Sequence, residues 1–395
     1  MLIHRLDDNS PYCFYVHEQA KALRGRGHQV TVISPVGVPP MAEKLRPNLA
    51  ALDQRTPQED TVDGIPVFYP RFRTLGNRGE HLLGGKPMAE AALPIARKLH
   101  EAQPFDVIHA HMLPREGHAG LLIARALGIP SVLTVHGTDV LHYFAPGKRP
   151  WARNIRIAES VDALLAVSTM LMERVAPYRS SGFRMVVPNG VDLSLVPQVH
   201  PNHPHRIISV GTLKERKCMD RTIEAFSRIA GDYPDAELTI VGQGPLEASL
   251  KAQAARLGLS DRITFTGGIP HEEVLKRMAD SDVFVLPSWG EGYGIVYIEA
   301  MAAGCIAIGA AGEGIGDTIR DGENGFLVPA GDTDAVESTL RRIFEDERHW
   351  KELRKNGRNS AFALTWKKNA ETMEQIYRTI QAQPRRGSGI NRSEK

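Results

Sequence analysis

Cysteine is scarce. Cys13, Cys218 and Cys305 are the only three in 395 residues, and none lies in Cys-x-x-Cys spacing, so the chain offers neither a disulfide framework nor a cysteine zinc site. That usage suits a reducing cytoplasm. No stretch approaches the roughly 18–20 apolar residues of a membrane span, and residues 1–10 lack the basic-then-apolar profile of a secretory leader. The expected location is therefore the cytoplasm, including the inner face of the cell membrane. A charge excess is lacking too: 48 Lys and Arg against 46 Asp and Glu leave a net +2, too weak an overall field for a nucleic-acid binder that relies on one. No internal period of roughly 20–50 residues marks a solenoid. With 42% apolar and 24% charged residues the balance is that of a globular protein, not a disordered or collagen-like chain. At about 150 residues per domain the length allows two, each with its own core.

What is present is alternation. Short β-branched or apolar runs at 30–34, 67–69, 107–111, 131–135, 163–167 and 185–187 read as strands, with amphipathic runs at 14–26, 88–100 and 117–127 as helices. Val16, Ala20 and Leu23 keep helical spacing until Gly25-Arg26-Gly27, and Gly128-Ile129-Pro130 closes the third helix; both endings are C-cap signals. A second series of strands falls at 206–210, 236–241, 262–266, 283–286, 305–308 and 325–328. Between the series, residues 196–205 hold three prolines and three histidines and read as a linker; the histidine spacing matches no helical metal-ligand pair. Strands and helices in this rhythm predict an α/β fold with parallel sheets and right-handed crossovers. The expected domains are 1–198 and 199–364, then a terminal helix at 365–383 that crosses back to the first domain, and a disordered tail at 384–395.

Chemistry concentrates in Ser288-Trp-Gly-Glu-Gly-Tyr-Gly-Ile-Val-Tyr-Ile-Glu-Ala-Met-Ala-Ala-Gly304, directly after the strand at 283–286. Ligands of open α/β sheets bind at the carboxyl ends of strands, and a glycine-rich loop opening a helix there turns free backbone N–H groups toward an anion. Gly290, Gly292 and Gly294 are expected to form such a phosphate cradle, with the helix from Ile295 aiming its positive end at the ligand. Glu291 and Glu299 flank the cradle. An ionised carboxylate only accepts hydrogen bonds, so it suits hydroxyls rather than phosphate. Glu299 is assigned to a ribose diol and Glu291 to sugar hydroxyls. The alternative of a solvated surface position for Glu299 sits poorly with its apolar run.

These residues resemble a known family, the retaining glycosyltransferases of family 4, whose architecture is called GT-B. The Glu-x7-Glu signature runs from Glu291 to Glu299, and the likeness extends through Asp106-Val-Ile-His-Ala-His111, Thr134-Val-His-Gly-Thr-Asp139, Val187-Pro-Asn-Gly-Val-Asp192, Val210-Gly-Thr-Leu-Lys-Glu-Arg-Lys217, Val241-Gly-Gln-Gly-Pro-Leu246 and Asn324-Gly-Phe-Leu-Val-Pro329. The opening 9–19 is similar to the subset that builds bacterial surface polysaccharides. The resemblance implies two Rossmann-like α/β domains facing each other across a cleft, with acceptor in the first and nucleotide sugar, UDP- or GDP-linked, in the second. It places Lys217 against the diphosphate. It also implies that Gly211, Thr212, Gly244, Pro245, Leu246 and Ile269 line the donor, together with Glu291, Gly292, Tyr293, Gly294, Ile295 and Glu299. Where the family commonly has an arginine this chain has Thr212; either Arg216 or Lys214 reaches in from the loop to replace its charge or the site binds phosphate less strongly, Arg216 being favoured for its fork of donors.

On the acceptor side the resemblance sets His136 beside the transferred sugar, with Asp139 ordering the same loop or pairing with it, and Tyr12 at the cleft border. His111, near its strand end, is the better acceptor candidate of the pair His109 and His111; His109 reads as a core residue. Asp332-Thr-Asp334 copies a metal-binding pattern but stands where a helix N-cap belongs, so no metal is expected and the nucleotide sugar is substrate, with no cofactor. The basic and aromatic segment 142–156 could meet anionic lipid, which suits a lipid-linked glycan acceptor. The implied reaction is transfer with retention, by front-side displacement in which the leaving diphosphate helps deprotonate the acceptor. A nucleotide-sugar epimerase and a non-catalytic nucleotide-sugar sensor are the alternatives; a lengthened glycan, a new free sugar nucleotide or an unchanged, tightly bound donor would tell the three apart.

Overall fold

The computed structural model describes residue 1 and residues 13–38, 53–74, 83–142, 151–178, 182–197 and 205–383, apart from the side chains of 347–349. Tyr12, most of the proline-histidine linker, residues 143–150 and the tail lie outside the described residues. Two units form: the described residues of Met1–Val167, Leu171–Val187 and Asn369–Lys395, and those of Ser168–Met170 and Pro188–Lys368.

In the first unit, helix α1 (Phe14–Gly25) precedes β1 (Val32–Ile33) and β2 (Val36–Val38). Then come β3 (Glu59–Val62), β4 (Ile65–Phe68) and β5 (Arg71–Arg73), helix α2 (Lys86–Ala102), β6 (Ile108–His111), α3 (His118–Leu127), β7 (Ser131–Val135), α4 (Trp151–Ser160), β8 (Ala163–Ala166) and β9 (Phe183–Val186). Strands β6, β7, β8 and β9 form a parallel sheet in that order, with Ile108 opposite Ser131 and His111 opposite Thr134. Strand β1 pairs parallel with β4, whereas β3 pairs with β4 antiparallel. The expectation of parallel strands is corrected here. The tight turn between them is Asp63-Gly64, with φ of 49° and 73°, and two successive positive φ values are what a two-residue hairpin needs to match strand twist.

The second unit is a single six-stranded parallel sheet. Its elements are β10 (Arg206–Val210), α5 (Met219–Ile229), β11 (Glu237–Val241), α6 (Glu247–Arg256), β12 (Ile263–Gly267), α7 (His271–Ala279), β13 (Val283–Val285), α8 (Ile295–Ala302), β14 (Ile306–Ala310), β15 (Phe326–Val328), α9 (Thr333–Glu345) and α10 (Glu347–Phe362). Strand order is β12-β11-β10-β13-β14-β15. The chain therefore builds outward from β10 to one side, then returns and builds outward from β13 to the other. This reversal of strand order, at the carboxyl ends of β10 and β13, is where ligands of such sheets bind.

The last helix, α11 (Trp366–Ala382), belongs for most of its length to the first unit. Ala370, Met373, Ile376 and Ile380 recur at helical spacing and pack against Leu23, Val132, Ala163, Leu165 and Val187. Gln19 Nε2 donates to Asn369 Oδ1 at 2.8 Å beside them. Met373 is fully buried, so Met373→Ala should destabilise the first unit by about 2–5 kcal/mol in urea unfolding; a change under about 0.5 kcal/mol would remove this helix from the core.

Candidate active site

The loops after β10 and β11 are joined by backbone. Leu213 N donates to the Gln243 carbonyl at 3.1 Å and Leu246 N to the Leu213 carbonyl at 3.2 Å. No side chain fits between them: a Cβ at Gly242 would lie 2.0 Å from the Gly211 carbonyl oxygen, and one at Gly244 2.5 Å from that of Leu213. This explains the Gly-x-Gly after β11, and it brings Gly211, Thr212, Gly244, Pro245 and Leu246 to one wall. Thr212 and Lys214 are exposed.

Lys217 closes a 3₁₀ turn over Glu215–Lys217 and lays its aliphatic stem beside Gly211. Its ammonium pairs directly with Glu291 Oε2, and Arg216 Nη1 reaches the same oxygen at 3.5 Å. The Lys217 side chain is 9% exposed and that of Glu291 15%, so the pair lies in low dielectric, where either charge alone would be costly. Between the two substitutes considered for the missing arginine, the structure brings Arg216, not Lys214, to this cluster.

The glycine loop departs from expectation. The amides of Gly290 and Glu291 are not open to a ligand, because Gly290 N donates to Glu313 Oε1 at 3.0 Å and Glu291 N to Glu313 Oε2 at 2.7 Å. The first anion in the cradle is the chain's own. Gly294, with φ of 81°, is the N-cap of α8, and among the described residues no acceptor meets the N–H groups of Gly292, Tyr293 or Gly294. A ligand anion would find its amides there, at a helix N-terminus. Glu299, one turn into α8, is 7% exposed and accepts His271 Nε2 within 2.8 Å at Oε1, with Ile269 half-buried two residues before His271.

In the first unit, histidines gather at the carboxyl ends of β6 and β7. His111 Nδ1 and His136 Nε2 are 3.0 Å apart and share a hydrogen bond. His109 stacks on His111 with ring centroids 4.1 Å apart, and is fixed by Thr134 Oγ1 at 2.7 Å and the Tyr377 hydroxyl at 2.8 Å. Tyr15 stacks on His136 at 4.1 Å. Burial, and then nearby positive groups, hold His109 and His111 well below the usual histidine range, and burial takes His136 down to about 3. Asp139 is fully buried and accepts the N–H groups of Leu113, His136 and Gly137 at 2.8–3.1 Å; burial raises its pKa against the pull of those amides. It orders the His136 loop through backbone, not through the imidazole. His111 Nε2 and His136 Nδ1 are buried and meet no hydrogen-bond partner among the described residues.

Two family profiles divide the chain between them: glycosyltransferase family 4 matches residues 14–195, and glycosyl transferases group 1 matches residues 195–360. The chain is a glycosyltransferase, with a family 4 domain followed by a group 1 domain. Among its relatives, the glycogen synthase of Mycobacterium tuberculosis is 27% identical over 353 residues, covering 84% of this chain and 82% of the relative. The phosphatidyl-myo-inositol mannosyltransferase of Mycobacterium leprae is 28% identical over 379 residues, covering 93% and 92%. The solved sucrose-phosphate synthase of Thermosynechococcus elongatus superposes with a TM-score of 0.74 at 23% identity over 93% of each chain, which establishes the GT-B fold. The protein is a glycosyltransferase enzyme.

For this glycosyltransferase, sequence reasoning missed Glu313 and His271 as partners of the loop and of Glu299. Neither lies at a spacing that a periodic pattern reveals, since Glu313 meets its partners across separate loops and His271 meets Glu299 across separate helices. Asp332 caps α9 by accepting Ala335 N at 2.9 Å, as its position suggested. The histidine cluster generates a pH prediction. Unfolded, each ring takes up a proton near pH 6.5; folded, His136 stays neutral down to about pH 3. The unfolded state thus binds more protons as pH falls below 6.5, and stability is lost in that direction, by about 1.4 kcal/mol per pH unit for each proton. Urea unfolding between pH 7 and 5 should show this slope, and His136→Phe should reduce it by one proton; an unchanged slope would contradict the buried neutral state.

Proposed function

We propose that the enzyme transfers a sugar with retention, without a metal ion, from a UDP- or GDP-sugar held by the second unit to a glycan or lipid-linked glycan held by the first. The observation that carries this reading is the Lys217–Glu291 pair at the reversal between β10 and β13. Separating a buried ion pair is unfavourable unless both charges find new partners. A nucleotide sugar offers both: its diphosphate for Lys217, its sugar hydroxyls for Glu291. Arg216 and the amides of Gly292, Tyr293 and Gly294 add positive charge where the leaving group's charge grows, which is the service a metal would otherwise give. Glu299 takes the ribose diol, Ile269 lies by the base, and Gly211, Thr212, Gly244, Pro245, Leu246 and Ile295 form the walls.

Retention by two carboxylates requires one of them free to attack carbon. Here Glu291 is taken up by the sugar hydroxyls once the donor draws Lys217 away, and both Glu313 oxygens accept amides. This favours front-side displacement. The bond from the anomeric carbon to diphosphate oxygen breaks, the acceptor oxygen bonds to that carbon on the same face, and the acceptor proton passes to the departing diphosphate. The nitrogens of His111 and His136 that meet no partner among the described residues, with Asp139 fixing the His136 loop, would orient the acceptor hydroxyl, and Tyr12 is proposed as a further acceptor residue. A lipid-linked acceptor is supported by the Mycobacterium leprae relative, named for a phosphatidylinositol substrate, and by the basic segment 142–156, proposed to touch the inner face of the cytoplasmic membrane.

The test separates binding from turnover. Glu299→Ala should weaken nucleotide binding about 10- to 100-fold, while Glu291→Ala should lower kcat about 100-fold or more and leave nucleotide affinity nearly intact. Negligible effects of both would overturn the assignment, and a product of inverted anomeric configuration would overturn retention.

A further inference from the structure

Glu291 stands between two glycines, residues that lose the most backbone freedom on ordering, yet its carboxylate must meet one ammonium. Something outside the loop has to hold it. Trp289 N donates to the Arg216 carbonyl at 2.9 Å and Gly314 N to the Glu291 carbonyl at 3.1 Å, while the Gly290 and Glu291 amides share the Glu313 carboxylate at 3.0 and 2.7 Å. The contact at Gly314 is close: a Cβ there would lie 2.1 Å from the Gly292 carbonyl oxygen. Three loops, leaving the adjacent strands β10, β13 and β14, are thereby tied at the backbone of Glu291.

We infer that Glu313 is the positioning residue of the donor site, holding the Gly290 and Glu291 amides in its carboxylate so that the Glu291 side chain is presented to the site, on Lys217 before the donor binds and toward the sugar hydroxyls afterwards. This deepens the donor-site reading above and rests on it. Charge-assisted bonds to a carboxylate are roughly twice as strong as neutral ones, so two of them restrain a glycine-flanked residue that has no helix or strand of its own. Glu313 also carries a second negative charge into a site built for a diphosphate. Its charge opposes the nucleotide while its geometry serves turnover, and that opposition distinguishes positioning from simple structural support.

Glu313→Gln keeps the size but replaces one acceptor oxygen by an NH2 that faces an amide N–H; Glu313→Ala removes both acceptors. In the full chain, hydrogen–deuterium exchange over 288–294 should quicken at least about tenfold in both variants, with the strands of the second unit unchanged. Binding of UDP and GDP should stay within twofold or tighten, and kcat should fall about 10- to 100-fold without a rise in donor KM. Unchanged exchange would overturn the clamp. Faster exchange with unchanged kcat would overturn its positioning role, as would a parallel loss of nucleotide affinity and turnover. If the unaltered protein turned over no donor, the functional reading would fall, and the exchange result would still decide whether Glu313 holds the loop.

Discussion

The buried pair between Lys217 and Glu291 is the constraint around which the second unit is arranged. Taking both charges out of water costs several kcal/mol per ion, and neither residue sits in a regular element that would hold it in place. Each is delivered by a loop whose shape depends on backbone contacts. Glycine at 242 and 244 lets the β10 and β11 loops lie against each other; the Glu313 carboxylate and Gly314 amide hold the β13 loop. The position follows from topology. The pair stands at the reversal of strand order, where ligands of such sheets bind, and the loops of β10 and β13 meet there through Trp289 N and the Arg216 carbonyl.

The two units solve different electrostatic problems. The second concentrates charge, with Arg216, Lys217, Glu291 and Glu313 in one cluster. The first suppresses it. Burial keeps His109, His111 and His136 neutral, and Asp139 accepts two amides of the loop it shapes and that of Leu113 after β6. A neutral hydroxyl acceptor suits such a surface, whereas a diphosphate suits the charged one. The histidine stack is held from behind by Tyr377, so the terminal helix both completes the first core and fixes the ring that supports His111.

The sequence announced the α/β class because strands buried on both faces become unbroken β-branched runs; β10 falls on the expected 206–210. The β3–β4 hairpin was overlooked since Glu59-Asp-Thr-Val62 is polar and largely exposed and carries little strand pattern of its own, although the Asp63-Gly64 dipeptide was a sufficient turn signal. Glycine spacing showed that the loop after β13 could hold an anion, but not that Glu313 would supply one. Such a partner is set by where two loops end in space. His271 beside Glu299 is likewise set in space, by how α7 and α8 lie together, and Arg216 is carried toward Glu291 by the turn at 215–217 while Lys214 stays exposed.

The central claim is that Lys217 is the anchor of a nucleoside-diphosphate site. Thermal unfolding with UDP, GDP and ADP, each with and without EDTA, tests it most directly, because a ligand bound only by the folded protein stabilises it by about 2.7 kcal/mol at a hundred times Kd. The account predicts a chelator-insensitive rise in Tm with UDP or GDP that Lys217→Met abolishes. No rise with any nucleotide, or one that survives Lys217→Met undiminished, would contradict it.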